Sequence, residues 1–319
     1  MKYFASKEAA GFGFKDILYE KKDWVGRITI NRPESFNCYT TSTLQELITA
    51  IDDASNDDQV GVIVLTGAGD KAFCTGGDVK EYAGVYTKSP HDYFKYMGLF
   101  AKYIESILRS GKVTIARING IAVGGGNETQ LACDLAVMAD DTYLGQVGTS
   151  VGSVACGGAT QWLSITVGDR RAREMLFLNS RIPAAKALEW GLVNRVVPRE
   201  QLDNEVATLC KQLLEKFPEC TRYTKQQVNY WKEAAWHATV GHARDWLSTH
   251  FTTLEPYEGM QAFVEKRKVD FLGLRQKAVD DALSSEFVWG PYEKACAACG
   301  AKGIPRQFDF CGGCGARLG

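Results

Sequence analysis

Two glycine-rich segments, each between a β-branched apolar run and a helical pattern, constrain this chain more than any other feature. FCTGGD at residues 73–78 follows the run at 60–65, and GGGNE at 124–128 follows the run at 113–118. Glycine lets the backbone approach a ligand closely, and the first N–H groups of a helix lack partners within it. One such turn is common in α/β proteins, but two side by side aim two N–H donors at one oxygen. The pair therefore predicts an oxyanion hole.

Apolar periodicity along the chain alternates between strand and helix. The pattern predicts a hairpin over 15–31, strands at 60–66, 113–118, 135–139 and 193–197, and helices at 43–54, 96–108, 127–132 and 170–178. From about residue 200 to about 285 the pattern is helical only, and a segment rich in cysteine and glycine follows. The repeated alternation predicts an α/β core, a helical C-terminal part and a small appended module.

The composition excludes several classes of protein. With 319 residues, a net charge of -1 and a pI near 6.5, the chain has no basic excess to neutralise the phosphates of nucleic acid. No apolar run reaches membrane-spanning length, and the first eight residues do not resemble a signal peptide. We therefore expect a cytoplasmic protein without nucleic-acid or membrane partners. Six scattered cysteines are expected to be reduced and buried: Cys38, Cys74, Cys133, Cys156, Cys210 and Cys220.

A series of motifs resembles the crotonase (enoyl-CoA hydratase/isomerase) superfamily, in order, over about residues 14–272. The matching segments are INRP at 30–33 with Asn37, FCTGGD at 73–78, ING at 118–120, GGG at 124–126, CD at 133–134, GQ at 145–146, GG at 157–158 and GMQAFVEKRK at 259–268. The resemblance implies an α/β spiral of ββα units over 14–200, a helical trimerisation part over 201–288, and a homotrimer or a dimer of trimers. It also implies an acyl-CoA thioester substrate, whose carbonyl oxygen accepts the N–H groups of Gly77 and Gly125.

The same resemblance places coenzyme A, as part of the substrate, at the first glycine turn. It implies that the adenine lies near the turn from Cys74 to Asp78, with contacts to Cys74 and Gly76. Phe263 and Lys266 are expected to reach the coenzyme A moiety, from the same chain or from a neighbouring subunit. The alternative for their segment is an ordinary amphipathic helix.

Two positions distinguish the branches of the superfamily. Hydratases use two glutamates; Glu128 stands at the first position, but Gly148, which cannot transfer a proton, stands at the second. The branch that contains dihydroxynaphthoyl-CoA synthase has an aspartate where this chain has Ala155, and it tends to lack the glutamate that this chain keeps. The branch of 6-oxocyclohex-1-ene-1-carbonyl-CoA hydrolases combines the glutamate with no such aspartate. Further segments resemble that branch, among them YTT at 39–41, GGAT at 157–160 and FPEC at 217–220.

This resemblance implies hydrolytic ring opening of a cyclic β-oxoacyl-CoA in alicyclic or aromatic acid degradation, with or without water addition to a ring double bond. Glu128 is the candidate general base, and a dry pocket is expected to raise its pKa. Asp78 either positions the substrate or caps the next helix, and Tyr82 either lines the pocket or packs in the core. No redox cofactor is expected. The alternatives are a hydratase that uses Glu128 alone, a carbon–carbon bond-forming enzyme, and an inactive scaffold recruited through its tail to a multienzyme complex.

Four cysteines near the C-terminus form two Cys-x-x-Cys pairs, Cys296 with Cys299 and Cys311 with Cys314. Each pair is followed by glycine, and this spacing is typical of the two knuckles of a zinc ribbon. A module of about 25 residues is too small to fold on an apolar core alone, so a metal is expected to stabilise it. The sequence predicts a structural zinc ribbon over 293–316, with a partner enzyme or a neighbouring subunit docked against it.

Overall fold

Six strands form the main sheet of the computed structural model, which describes residues 6–279, 287, 288 and 292–319. In spatial order they are β1 (Ile17–Lys22), β2 (Val25–Ile30), β3 (Val62–Gly67), β5 (Val113–Ile118), β7 (Leu135–Ala139) and β10 (Arg195–Val197). A second sheet contains β4 (Ala72–Cys74), β6 (Ile121–Val123), β8 (Tyr143–Gly145) and β9 (Ile182–Pro183). β1 and β2 form an antiparallel hairpin, whereas β2, β3, β5, β7 and β10 are parallel.

Consecutive strands alternate between the two sheets. β3 is followed by β4, β5 by β6 and β7 by β8, and the first strand of each pair lies in the main sheet. β4 leads into α2 (Val79–Gly84), and β6 leads into α4 (Gly125–Ala132). Every residue of β3 is buried, as expected for a strand in a parallel sheet that is covered on both faces. The order is a repeated ββα unit, which agrees with the fold that the resemblance implies.

Helices cover both faces of the main sheet. Those not yet given are α1 (Thr41–Asn56), α3 (Pro90–Leu108), α5 (Ala159–Val167), α6 (Asp169–Leu178), α7 (Ala184–Glu189), α8 (Leu202–Leu214), α9 (Pro218–Val228), α10 (Tyr230–His250), α11 (Leu254–Val264) and α12 (Phe271–Val279). One face of the sheet packs against α8, and the other contributes to a larger core with α1, α3 and the small sheet.

Two helices after residue 200, α10 and α11, share that larger core. Trp236 and Leu247 of α10, together with Phe251 and Met260, are buried in the same cluster as the side chains of β2 and β3. α10 packs against α3 and α5, and α11 packs against α2, the helix that follows the first glycine turn. The predicted helical part extends to residue 288, but 280–286 lie outside the described residues. Within the described residues, no helix is long and apolar enough to cross a membrane.

The predicted elements agree with the structure where apolar periodicity is strong. The strands predicted at 113–118 and 135–139 coincide with β5 and β7. α1 and α3 begin before the predicted first residues, because the caps Thr40 and Ser89 precede the apolar stripe of each helix. The prediction that all six scattered cysteines are buried is wrong for Cys220. That cysteine is exposed because it lies on α9, whose one buried side chain is Lys225.

Candidate active site

The two glycine turns lie against each other, backbone on backbone. Gly76 has a φ of +90°, and a Cβ added there would lie 2.9 Å from the amide nitrogen of Gly125 in the second turn. A Cβ added to Gly126 would lie 1.9 Å from the carbonyl oxygen of Cys74. Neither position has room for a side chain, so the close approach of the turns depends on glycine.

Pairing with Tyr39 orients the first turn. The Tyr39 N–H donates to the Gly76 carbonyl and the Asp78 N–H donates to the Tyr39 carbonyl, both at 2.9 Å. This pairing leaves the N–H of Gly77 between them without a protein acceptor among the described residues. The N–H of Gly125 likewise has no acceptor in the part of the chain that the structure describes, because Gly125 is the first residue of α4. Two unpaired donors on adjacent turns are the arrangement that binds a developing oxyanion.

Glu128 lies in the first turn of α4 and is only 4% exposed. Its Oε1 accepts the N–H of Gly157 at 2.6 Å and that of Ala159 at 3.3 Å. Burial raises the pKa of Glu128 to about 7, although these two N–H donors lower it. No charged side chain contributes to the shift. A carboxyl with this pKa can accept or donate a proton near neutral pH.

Aromatic side chains surround the glycine turns and Glu128. Tyr82 lies over the first turn, since a Cβ added to Gly77 would lie 1.6 Å from its hydroxyl oxygen. This oxygen is 2.6 Å from the hydroxyl oxygen of Tyr96. Burial raises the pKa of Tyr82, so the phenol stays neutral. The ring contacts around Tyr82 and Tyr39 involve Tyr86, Tyr93, Tyr96, Phe100, Tyr103 and Phe251.

Positions 148 and 155, where a second carboxylate would stand, carry no carboxyl side chain. Gly148 begins a short 3-10 helix, and a Cβ there would lie 2.9 Å from the carbonyl oxygen of Ser153. Ala155 is half-buried and carries only a methyl group. Glu128 is therefore the one carboxyl that these positions bring to the glycine turns.

The carboxylate of Asp78 is bound by groups of the protein. Its carboxylate accepts the N–H of Lys80 as the cap of α2 and lies 3.2 Å from the guanidinium of Arg32. Partial burial raises the pKa of Asp78, but the Lys80 N–H and Arg32 lower it more, and the net pKa is below the usual range. The capping alternative for Asp78 is therefore confirmed.

Comparison with known proteins agrees with this geometry. The model of the enoyl-CoA hydratase/isomerase family matches residues 20–274. The chain belongs to this family. Similar solved structures include an enoyl-CoA hydratase from Bacillus anthracis, 30% identical, covering 81% of this chain and 100% of that chain at a TM-score of 0.65. They also include an enoyl-CoA hydratase from Mycobacterium avium subsp. paratuberculosis, 26% identical, covering 81% of this chain and 98% of that chain at a TM-score of 0.73.

Four residues were predicted to contact coenzyme A in this member of the enoyl-CoA hydratase/isomerase family. Cys74 is fully buried behind the first turn, and Gly76 forms that turn. Phe263 is 57% exposed at the end of α11, and Lys266, also exposed, follows that helix with a φ of +55°. α11 packs against α2, the helix that follows the first turn, so Phe263 lies on a neighbour of that helix and Lys266 lies just beyond its end. Their contact with coenzyme A stays a prediction.

Sequence reasoning missed two contributors to the site. The N–H of Gly157 is the closest partner of Glu128, and the Tyr39 side chain lies against Gly125. The signal for Gly157 was its pairing with Gly158, which matched the family without indicating a role. Tyr39 was noted only as part of the YTT segment that matches one branch of the family, with no role indicated.

The cysteine-rich module lies beyond the range that the family model matches. Its four sulfur atoms all lie within 4.8 Å of one another. Cys296 Sγ is 3.6 Å from Cys314 Sγ, and Cys299 Sγ is 3.6 Å from Cys311 Sγ. A tetrahedral ion at about 2.3 Å from each sulfur requires sulfur atoms about 3.8 Å apart. The four thiols therefore fit one tetrahedral metal ion.

The two knuckles of this module have the same backbone pattern. Gly300 donates its N–H to the Cys296 carbonyl at 2.9 Å, and Gly315 donates to the Cys311 carbonyl at 2.8 Å. Both glycines have a φ above +70°, which explains glycine at each turn. The N–H groups of Gly313 and Cys314 lower the pKa of the Cys311 thiol, whereas, against the N–H of Ala316, the neighbouring thiols of Cys299 and Cys296 raise the pKa of Cys314. Thiols this close together cannot all ionise without a cation between them.

Proposed function

We propose that this chain hydrolyses a cyclic β-oxoacyl-CoA thioester and opens its ring by cleaving a carbon–carbon bond. The observation that carries the proposal is a single buried carboxyl, Glu128, with a pKa of about 7 beside two free N–H donors. Hydration by two glutamates requires a second acid–base group, which Gly148 and Ala155 do not supply. The aromatic surroundings also support the proposal, because aromatic side chains offer a large apolar surface to the hydrocarbon part of an alicyclic ring.

The reaction follows from the positions of these groups. Glu128 takes a proton from water, and the hydroxide adds to the ring ketone next to the α-carbon. The bond between the ketone carbon and the α-carbon breaks, and its electron pair forms a thioester enolate. The N–H groups of Gly77 and Gly125 donate to the enolate oxygen, whose charge grows only along the reaction path. The proton on Glu128 then goes to the α-carbon, and the former ketone carbon becomes a free carboxylate, with one water consumed.

A hydratase that uses Glu128 alone is the second candidate. It is favoured by the family of the chain and by the names of its similar structures, which are enoyl-CoA hydratases. A carboxyl with a pKa of about 7 can deprotonate water and return the proton to carbon. The two candidates differ in product, since a hydratase leaves the ring and every carbon–carbon bond intact.

Product analysis separates the two candidates. The protein is incubated with 2-oxocyclohexanecarboxyl-CoA and, separately, with crotonyl-CoA, and the products are identified by mass spectrometry. Ring opening adds one water and gives a new free carboxylate while the thioester stays intact. Hydration of crotonyl-CoA without ring opening supports the second candidate and overturns the first. Glu128→Gln is the matched control, because any reaction that persists in it does not use this carboxyl. No reaction with either thioester favours the inactive scaffold.

We also propose that the chain assembles as a homotrimer or a dimer of trimers. Large apolar side chains are exposed where α9 ends and α10 begins, and exposed patches of this kind mark interfaces. They are Val228, Tyr230 and Trp231, with Phe217 at the start of α9. Sedimentation velocity is expected to give a trimer or a hexamer. A fully active monomer contradicts the assembly, and with it any contact of Phe263 or Lys266 across a subunit interface.

For the four cysteines we propose a structural zinc ion. All four tetrahedral positions are filled by protein sulfur, and such closed sites are structural rather than catalytic. The module has a small core of its own, which consists of Cys296, Ile304, Cys311 and Leu318 with three partly buried neighbours. Two of these four residues are also proposed ligands, so metal binding and folding of the module are coupled.

Metal analysis of freshly purified, reduced protein tests the site. About one equivalent of zinc per chain is expected, and less than about half an equivalent of zinc or iron contradicts it. Cys296→Ser and Cys311→Ser are expected to lose the metal, since each removes one ligand. Cys220→Ser is the matched control, because Cys220 is an exposed cysteine on α9 and is expected to keep full occupancy.

A further inference from the structure

Tyr39 connects the two glycine turns. Its backbone pairs with the first turn through Gly76 and Asp78, at 2.9 Å on each side. Its side chain reaches the second turn, since a Cβ added to Gly125 would lie 1.8 Å from the Tyr39 hydroxyl oxygen. The hydroxyl therefore lies directly beside one of the two free N–H donors.

The Tyr39 hydroxyl has no hydrogen-bond partner among the described residues, although the side chain is only 2% exposed. Neighbouring buried phenols are paired: Tyr82 with Tyr96 at 2.6 Å, and Tyr103 with Thr129 at 3.2 Å. The Tyr39 hydroxyl is not one of the fully buried polar atoms without a partner, which within the described part of the chain belong to Asn127, Thr142 and Gln146, so its oxygen keeps some accessible surface. An accessible hydroxyl beside a binding site is free to pair with a ligand group.

The ring of Tyr39 is held in place. It stacks on Phe100 with ring centroids 5.6 Å apart, and Tyr103 packs against it at 6.2 Å. The ionisable groups on other elements that act on the Tyr39 hydroxyl are Tyr82, Cys74, Glu128 and Tyr103. Burial raises the pKa of Tyr39 well above its usual value, so the hydroxyl keeps its proton and remains a donor.

We propose that the Tyr39 hydroxyl donates a hydrogen bond to the second carbonyl oxygen of a β-oxoacyl-CoA, while Gly77 and Gly125 hold the thioester oxygen. The inference rests on the proposed function and names the group that selects its substrate class. Rotation about the bonds to the α-carbon of a β-oxo thioester can bring its two oxygens to the same side, where these donors also lie. The same hydroxyl stabilises the oxyanion that forms when hydroxide adds to the ketone. Saturated and enoyl thioesters lack this oxygen and leave the hydroxyl unpaired, so the site discriminates against them.

Ligand affinity of matched variants tests the role of Tyr39. Tyr39→Phe removes only the hydroxyl, and Tyr103→Phe is the control, since it removes a neighbouring hydroxyl that already has a partner. Both are made in the Glu128→Gln background, where no turnover occurs. Calorimetry compares acetoacetyl-CoA, an acyclic 1,3-dicarbonyl thioester, with butyryl-CoA. Tyr39→Phe is expected to weaken acetoacetyl-CoA binding by about tenfold or more and to leave butyryl-CoA binding unchanged.

Each other outcome has a defined meaning. Equal losses for both thioesters mean that Tyr39 only supports the fold, and no loss for either means that it does not contact the substrate. Butyryl-CoA binding also reports whether each variant is folded. A selective loss for acetoacetyl-CoA in a protein that opens no ring contradicts the proposed function and keeps the role of Tyr39. Ring opening without a selective loss contradicts the role of Tyr39 and keeps the proposed function. Absence of binding by both thioesters contradicts both proposals.

Discussion

Replacing Glu128 by glutamine is expected to lower turnover strongly and to stabilise the protein above neutral pH. Burial raises the pKa of this carboxyl from about 4.5 in an exposed glutamate to about 7, so the folded state holds the proton more tightly than the unfolded chain. Holding the carboxylate charged in the folded protein above pH 7 therefore costs about 3 kcal/mol. Glutamine keeps an oxygen for the N–H of Gly157 and carries no charge.

The sign of the effect gives the pH window. Below about pH 4.5 the carboxyl is protonated in both states, and the variant and the wild type are expected to be equally stable. Between that pH and about pH 7 the wild type loses stability relative to Glu128→Gln, and at pH 8 the difference reaches its full value. Turnover is expected to fall by about a hundredfold or more, which is a typical loss for a general base. The wild-type rate should rise with pH up to about 7 and then level off.

Urea unfolding at several pH values measures the difference in the free energy of unfolding. Glu20→Gln is the control, because Glu20 is exposed on β1 and its replacement should change little at any pH. A Glu128→Gln protein that is less stable than the wild type at pH 8, or a difference that does not change with pH, contradicts the desolvation of this carboxyl. An essentially active Glu128→Gln protein removes it from the mechanism.

Three further outcomes are expected. Gly157→Ala should lower turnover by about tenfold or more in steady-state kinetics, because the new methyl lies 2.4 Å from the Phe100 ring and 2.9 Å from Glu128 Oε2 and displaces both. Lys225→Met should lower the free energy of unfolding by about 3 kcal/mol in urea titrations, because Asp134 loses a buried partner at 2.9 Å. Deletion of 293–319 should leave turnover intact while changing assembly or partner binding; loss of all activity in a well-folded truncation contradicts the structural role of the ribbon.

The sequence predicted the fold where local signals are strong. Unbroken apolar runs identified β5 and β7, but the short strands β4 and β6, which lead directly into the two glycine turns, were not predicted. Gly77, Gly125 and Glu128 were identified through the resemblance of these turns and their neighbours to the crotonase superfamily. Local pattern also identified the four cysteines that the structure brings together.

Long-range contacts account for what was missed. Gly157 lies 29 residues after Glu128 along the chain, and only the packing of α4 on α5 brings its N–H to the carboxylate. Tyr39 precedes α1 and β3 in the chain, whereas the turn that its backbone pairs with follows them. This long-range pairing brings the Tyr39 side chain to Gly125. No periodicity or motif indicates such contacts. Cys220 is exposed because of how α9 packs, which its local sequence does not indicate.

The central claim is that one carboxyl and two backbone donors direct water to a ring ketone rather than to the thioester or to a double bond. Turnover of 2-oxocyclohexanecarboxyl-CoA in water labelled with heavy oxygen tests it most directly. The account predicts an open-chain product with one labelled oxygen in the new free carboxylate, with no label in the thioester and no release of coenzyme A. Label in an alcohol on an intact ring, or label accompanied by free coenzyme A, contradicts it.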